Sequence, residues 1–167
     1  ELAPKAAAAW FGLGQAYTTL SQEALDTFQG EPEDSPWRSL LVADALADHG
    51  RAADAFVMYR AAAPRLPGMP SLHDAVARIC EGAGHKDWAA AERARAKTLA
   101  IDCVRRKAQC EFRAGRLRSA LVAAAGSADP ESRYWRARAS TELAQAAFTT
   151  LDGLPDSRER RAFRTEV

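Results

Sequence analysis

The residues of this chain that could do chemistry are three cysteines, three histidines, one pair of acids a helical turn apart, and a run of arginines. Cys80, Cys103 and Cys110 form no CxxC pair. Their odd number rules out a complete disulfide framework. Cys103 and Cys110 stand two turns apart on one helical face, a spacing that core packing also gives. The preferred reading is three small buried hydrophobes, with a redox or metal role as the alternative. His49, His73 and His85 are scattered towards the ends of helices, and no HExxH or other zinc spacing occurs. Asp44 and Asp48 share a face at i, i+4. Two buried acids so placed could do general acid–base work, but exposed acid pairs are far commoner. No GxSxG, Walker loop or strand-linked GxGxxG is present. These residues point to no catalytic centre, no metal and no cofactor, and so not to an enzyme.

Nine basic residues crowd Arg93–Arg118 (Arg93, Arg95, Lys97, Arg105, Arg106, Lys107, Arg113, Arg116 and Arg118) against Asp102 and Glu111. Such a stripe could neutralise phosphates, which makes nucleic-acid binding the alternative function. However, the net charge is only +1, and no aromatics alternate with these arginines. A salt-bridged or solvated face accounts for the stripe better. The charge is uneven along the chain. Residues 1–54 hold Lys5, Arg38 and Arg51 against nine acids, so that stretch carries −6. An asymmetry of this kind can steer a charged partner.

The elements that must position these groups are helices. The 167 residues are 47% hydrophobic, much of it alanine, the strongest helix former, and no stretch alternates apolar and polar with period two. Trp10, Leu13, Gly14 and Tyr17 recur at helical spacing after Pro4. Gly14 lets a neighbouring helix approach, and Ser21 is placed to cap the next one, with Ala24 and Phe28 inward. Ser35 and Pro36 open a helix carrying Trp37, Leu40, Leu41 and Leu46, which Gly50 stops. Arg51 to Ala63 follows, ended by Pro64. Ser71 with Asp74 reads as a capping box variant ahead of Leu72, Val76, Ile79 and Cys80. Gly84, a break near Leu99–Asp102 with Asp102 as cap, and Gly115 punctuate the next helices. Asp129–Pro130–Glu131 opens a helix with Tyr134, Trp135, Ala139 and Leu143.

Val42–Pro67 joins these signals most fully. Small Ala43 and large Leu46 precede a turn at His49–Gly50. Small Ala55, aromatic Tyr59 and small Ala62 follow, and Pro67 closes the unit. This order resembles the tetratricopeptide repeat (TPR), a helical hairpin of ~34 residues. Residues 4–28, 70–98, 102–126 and 130–155 follow the pattern less closely. The resemblance implies an all-α fold: a right-handed superhelix of antiparallel hairpins, a TPR-like solenoid of four to five hairpins, forming one domain over 1–167. It implies a groove lined by the first helix of each hairpin, here Phe11, Gln15, Asp44, Asp48, Arg78, Glu81, Arg105, Gln109, Arg113, Arg133, Arg136 and Ser140. A protein or an extended peptide is the implied partner. Where the carboxylate-clamp branch of the family carries Lys and Asn, this chain has Asp44 and Phe11. The chain starts at Glu1 and breaks off inside another periodic stretch, so the expectation is a fragment of a longer array with any leader removed. No run of ~18 apolar residues occurs.

Overall fold

Alanine-rich runs with a large apolar residue every three or four positions bury that stripe as helices, and glycine and proline stop them. The computed structural model describes residues 6–166. Among these the chain is all-helical, with nine α-helices, one short 3₁₀ turn and no strand. No helix among the described residues is long and apolar enough to cross a membrane.

Six of the helices form three consecutive hairpins: α2 (Pro36–Asp48) with α3 (Ala52–Ala62), α4 (Pro70–Gly82) with α5 (Lys86–Thr98), and α6 (Lys107–Arg113) with α7 (Leu117–Ala124). Each turn holds one left-handed glycine, Gly50 (φ 73°), Gly84 (φ 82°) or Gly115 (φ 72°). The next residue donates its N–H back to the helix: Arg51 to the Leu46 carbonyl at 2.8 Å, His85 to Cys80 at 2.8 Å, and Arg116 to Glu111 at 2.9 Å. A side chain at that φ would clash with the backbone, so glycine is needed there.

Pro36 opens α2 as expected, whereas α4 opens one residue earlier than the Ser71 cap implied, at Pro70, and the capping differs from the sequence reading. Ser35 sits at the N-cap of α2 without a side-chain cap bond. Met69 precedes α4, which leaves Ser71 inside the first turn and the Ser71–Asp74 box unformed. Asp102 caps a turn, accepting from the Val104 and Arg105 N–H groups at 3.1 and 3.3 Å, and α6 begins only at Lys107. Cys103 therefore lies off the helix and forms a disulfide with Cys110, in place of the two buried hydrophobes expected there. Cys80 is free and buried, as expected.

The end segments 4–28, expected as a hairpin, and 130–155, expected as a hairpin or as one bent helix, each hold one unbroken helix among the described residues. Pro4 lies outside the described residues. α1 (Ala7–Asp26) and α8 (Pro130–Asp152) run 20 and 23 residues. No glycine or proline interrupts 15–29 or 131–152, so nothing stops either helix in the middle. Their apolar stripes are buried chiefly against each other, antiparallel, with α8 also packing on α7. Ser21, expected as a cap, instead meets Thr141, hydroxyl to hydroxyl, at 2.8 Å. The close approach expected at Gly14 is made, but by α8: a Cβ there would lie 2.5 Å from the Phe148 ring. In an open solenoid each helix touches only its neighbours, and the α1–α8 pairing departs from that rule. α9 (Arg158–Glu166) packs on α1 and α8, with Phe163 stacked on Phe148 at 4.7 Å. The core runs without a break from Phe28 through all three hairpins to Tyr134 and Trp135 on α8.

Candidate functional site

The first helices of the three hairpins and the N-terminal half of α8 enclose a cleft of about 250 Å³. α2 contributes Asp44, α4 contributes Ser71, Asp74 and Arg78, and α6 contributes Phe112 and Arg113. Tyr134, Trp135, Arg138 and Glu142 come from α8. A second opening of about 390 Å³, between α1, α2 and α8, reaches Asp44 and Arg138 from the other side.

At the base lies a buried ionic cluster. Asp44 is 6% exposed, and each carboxylate oxygen accepts a tyrosyl hydroxyl: Tyr59 on Oδ1 at 2.5 Å and Tyr134 on Oδ2 at 2.7 Å. Arg138 Nε stands 3.4 Å from Asp44 Oδ2, and its other nitrogens reach Asp48 and Glu142, each at 3.3 Å. Burial pushes the Asp44 carboxyl above the usual carboxylate range, against the opposing pull of Arg138 and the two hydroxyls. The Tyr59 and Tyr134 hydroxyls are pushed well above the phenol range by burial and by the Asp44 charge, so both stay protonated donors. Burial works against the Arg138 charge, but the surrounding carboxylates outweigh it and hold the guanidinium firmly protonated. Burial also raises Glu142, opposed by Arg138. The Asp44 charge is thus committed to tying α2, α3 and α8 together. No group of three or more His, Cys, Asp or Glu among the described residues is placed to hold a metal ion.

Of the twelve expected groove residues, Asp44, Arg78 and Arg113 meet in the cleft. Asp44 sits beneath its surface and Asp48 on the far side of Arg138, so this acid pair is half buried salt-bridge and half rim. Arg113 faces Asp74 at 3.5 Å. The other eight lie elsewhere. Phe11 packs edge-on to Phe148 between α1 and α8, and Gln15 is exposed on α1. Glu81 pairs with Arg93 at the hairpin surface, and Arg105 with Asp102 in the turn before α6. Gln109 is fully buried, with neither end of its amide hydrogen-bonded among the described residues. Arg133 pairs with Glu31, lies 5.7 Å over the Phe28 ring, and faces the α1–α2 connection. Arg136 reaches Glu23 on α1, and Ser140 is buried, donating to the Arg136 carbonyl. α8 turns these last three away because it packs on α1 rather than folding back on itself.

Arg138, Glu142 and Tyr134 as a hydrogen-bond donor were missed. Arg138 and Glu142 form an i, i+4 pair inside an alanine-rich helix, a signal legible in the sequence. That Asp44 stands opposite them was not. Across the Arg93–Arg118 stripe, Arg93, Arg95, Arg105, Arg106, Arg113 and Arg116 all stand in ion pairs. No family model, curated protein or solved structure matches the chain.

Proposed function

We propose that this chain is a non-catalytic scaffold for protein–protein interaction, and that an extended peptide or a segment of another protein lies in the cleft of α2, α4, α6 and α8. One observation carries the reading. Successive first helices present Asp44, Asp74 with Arg78, and Arg113 to one opening, as a repeat array presents its inner face. Among the described residues Arg78 makes no ion pair, so an exposed cation stands ready for a partner's acid or carbonyl. The TPR-like reading of α2–α7 belongs to the same proposal, supported by the shared glycine turn at Gly50, Gly84 and Gly115. The ion pairing along Arg93–Arg118 favours this reading over phosphate binding, since paired guanidiniums release fewer counterions.

The test is affinity capture from a lysate of the source organism with two charge-reversed variants. Arg78→Glu with Arg113→Glu removes the captured protein while circular dichroism stays helical. Arg116→Glu with Arg118→Glu, outside the cleft, leaves capture intact. Equal loss in both variants, or nucleic acid as the captured species, overturns the reading.

A further inference from the structure

The opposite face of α4 looks into a different opening. Ser71, Asp74 and Arg78 line the cleft, while Val76 and Cys80 form the floor of a groove of about 430 Å³ between the second helices α3 and α5. Its two walls have the same polarity. On α3, Phe56 is followed one turn later by Arg60, and on α5, Trp88 is followed two turns later by Arg95. On both helices the aromatic ring therefore precedes the guanidinium, and the groove is aromatic at one end and cationic further along. Trp88 is 60% exposed, with one face stacked on His85 at 4.7 Å. A large ring held in water at that angle leaves its other edge for a partner.

The cationic end has a specific charge balance. Glu92 is 7% exposed and lies under the guanidiniums. Its Oε2 is held by His73 Nδ1 at 2.6 Å and its Oε1 by Arg95 at 2.7 Å. Arg60 stands back at 3.9 Å, and the Arg60 and Arg95 side chains are 57% and 60% exposed. One buried carboxylate thus faces two exposed guanidiniums, and the surface at this end is positive. We propose that this groove is a second docking site, independent of the cleft, for an acidic segment of another protein. The segment sets a large apolar side chain between Phe56 and Trp88 and a carboxylate between Arg60 and Arg95.

The probe is a short labelled peptide with Phe placed about one helical turn ahead of two Glu, compared with the same peptide carrying Lys for Glu. The acidic peptide raises fluorescence anisotropy on the whole chain and shifts the indole N–H resonance of Trp88; the Lys peptide does neither. Trp88→Ala weakens binding by about tenfold or more, and Arg60→Glu does the same. Both side chains are exposed, so the fold survives. The cleft pair Arg78→Glu with Arg113→Glu leaves this binding unchanged, which separates this proposal from the one above. No binding of the acidic peptide, equal binding of the Lys peptide, or indifference to Trp88→Ala overturns it. So does self-association in sedimentation that Trp88→Ala abolishes, since the occupant is then a second copy of the chain.

Discussion

Replacing Asp44 with Ala removes the acceptor on which three helices converge. Two tyrosyl hydroxyls, from α3 and α8, lose their only hydrogen-bond partners among the described residues. A buried polar group left unpaired costs about 1–3 kcal/mol. Arg138 keeps Asp48 and Glu142, both half solvated, so it is not orphaned. Openings on two sides reach the Asp44 position, which lets water satisfy part of the loss. The sum is about 3 kcal/mol, towards the low end of what breaking a buried ion pair costs. In a domain of this size that lowers Tm by roughly 6–12 °C. Urea unfolding followed by circular dichroism measures it. The sharper check is a double-mutant cycle. Tyr134→Phe costs about 1.5–3 kcal/mol with Asp44 present, as a hydrogen bond to a charge, and nothing, or a slight gain, once Asp44 is Ala. Additive effects would refute the reasoning, because they would mean the hydroxyl and the carboxylate do not depend on each other.

Gly14→Ala sets a helix-propensity gain of about 1 kcal/mol against overpacking on Phe148 of about 1–3 kcal/mol, because that ring is held between Phe11 and Phe163. The net is a loss in the native background and a gain in Phe148→Leu; a gain in both would show that the ring moves without cost. Reducing the Cys103–Cys110 disulfide, which closes a short loop, costs about 2.5 kcal/mol by loop entropy; the midpoint of urea unfolding should fall accordingly, and an unchanged midpoint would show that the bridge does not restrict the unfolded chain. Asp129 caps α8: burial raises its carboxyl, but bonds from Ser127 and the Ser132 N–H outweigh this and hold it below the usual aspartate range. A depressed folded value means stabilisation that is present above the unfolded value and lost as pH falls through the folded one. Asp129→Ala therefore costs about 1 kcal/mol at neutral pH, and the gap in Tm between variant and native protein narrows once pH falls below the unfolded aspartate value and closes below the folded one.

What could be read from the sequence was local. Gly50, Gly84 and Gly115 mark turns because only glycine adopts a left-handed backbone without strain, and that is a property of the residue itself. Pro36 and Pro130 open helices for an equally local reason. The small–large order of Ala43, Leu46, Ala55, Tyr59 and Ala62 placed the α2–α3 hairpin and its buried tyrosine. The candidate site was legible only in part, since Asp44, Arg78 and Arg113 follow from the hairpin pattern while Arg138 and Glu142 do not. Their roles depend on where α8 lies, and α8 is placed by α1, more than a hundred residues away. Periodicity shows that each of these helices has an apolar stripe but not which other stripe covers it. The sequence showed that Gly14 admits a close neighbour; the tertiary structure decided that the neighbour is Phe148. It also decided that Asp44, polar and one turn from Asp48, goes inside. Burying a charge is unfavourable by itself and becomes tolerable only when Tyr59, Tyr134 and Arg138 arrive from separate helices to meet it.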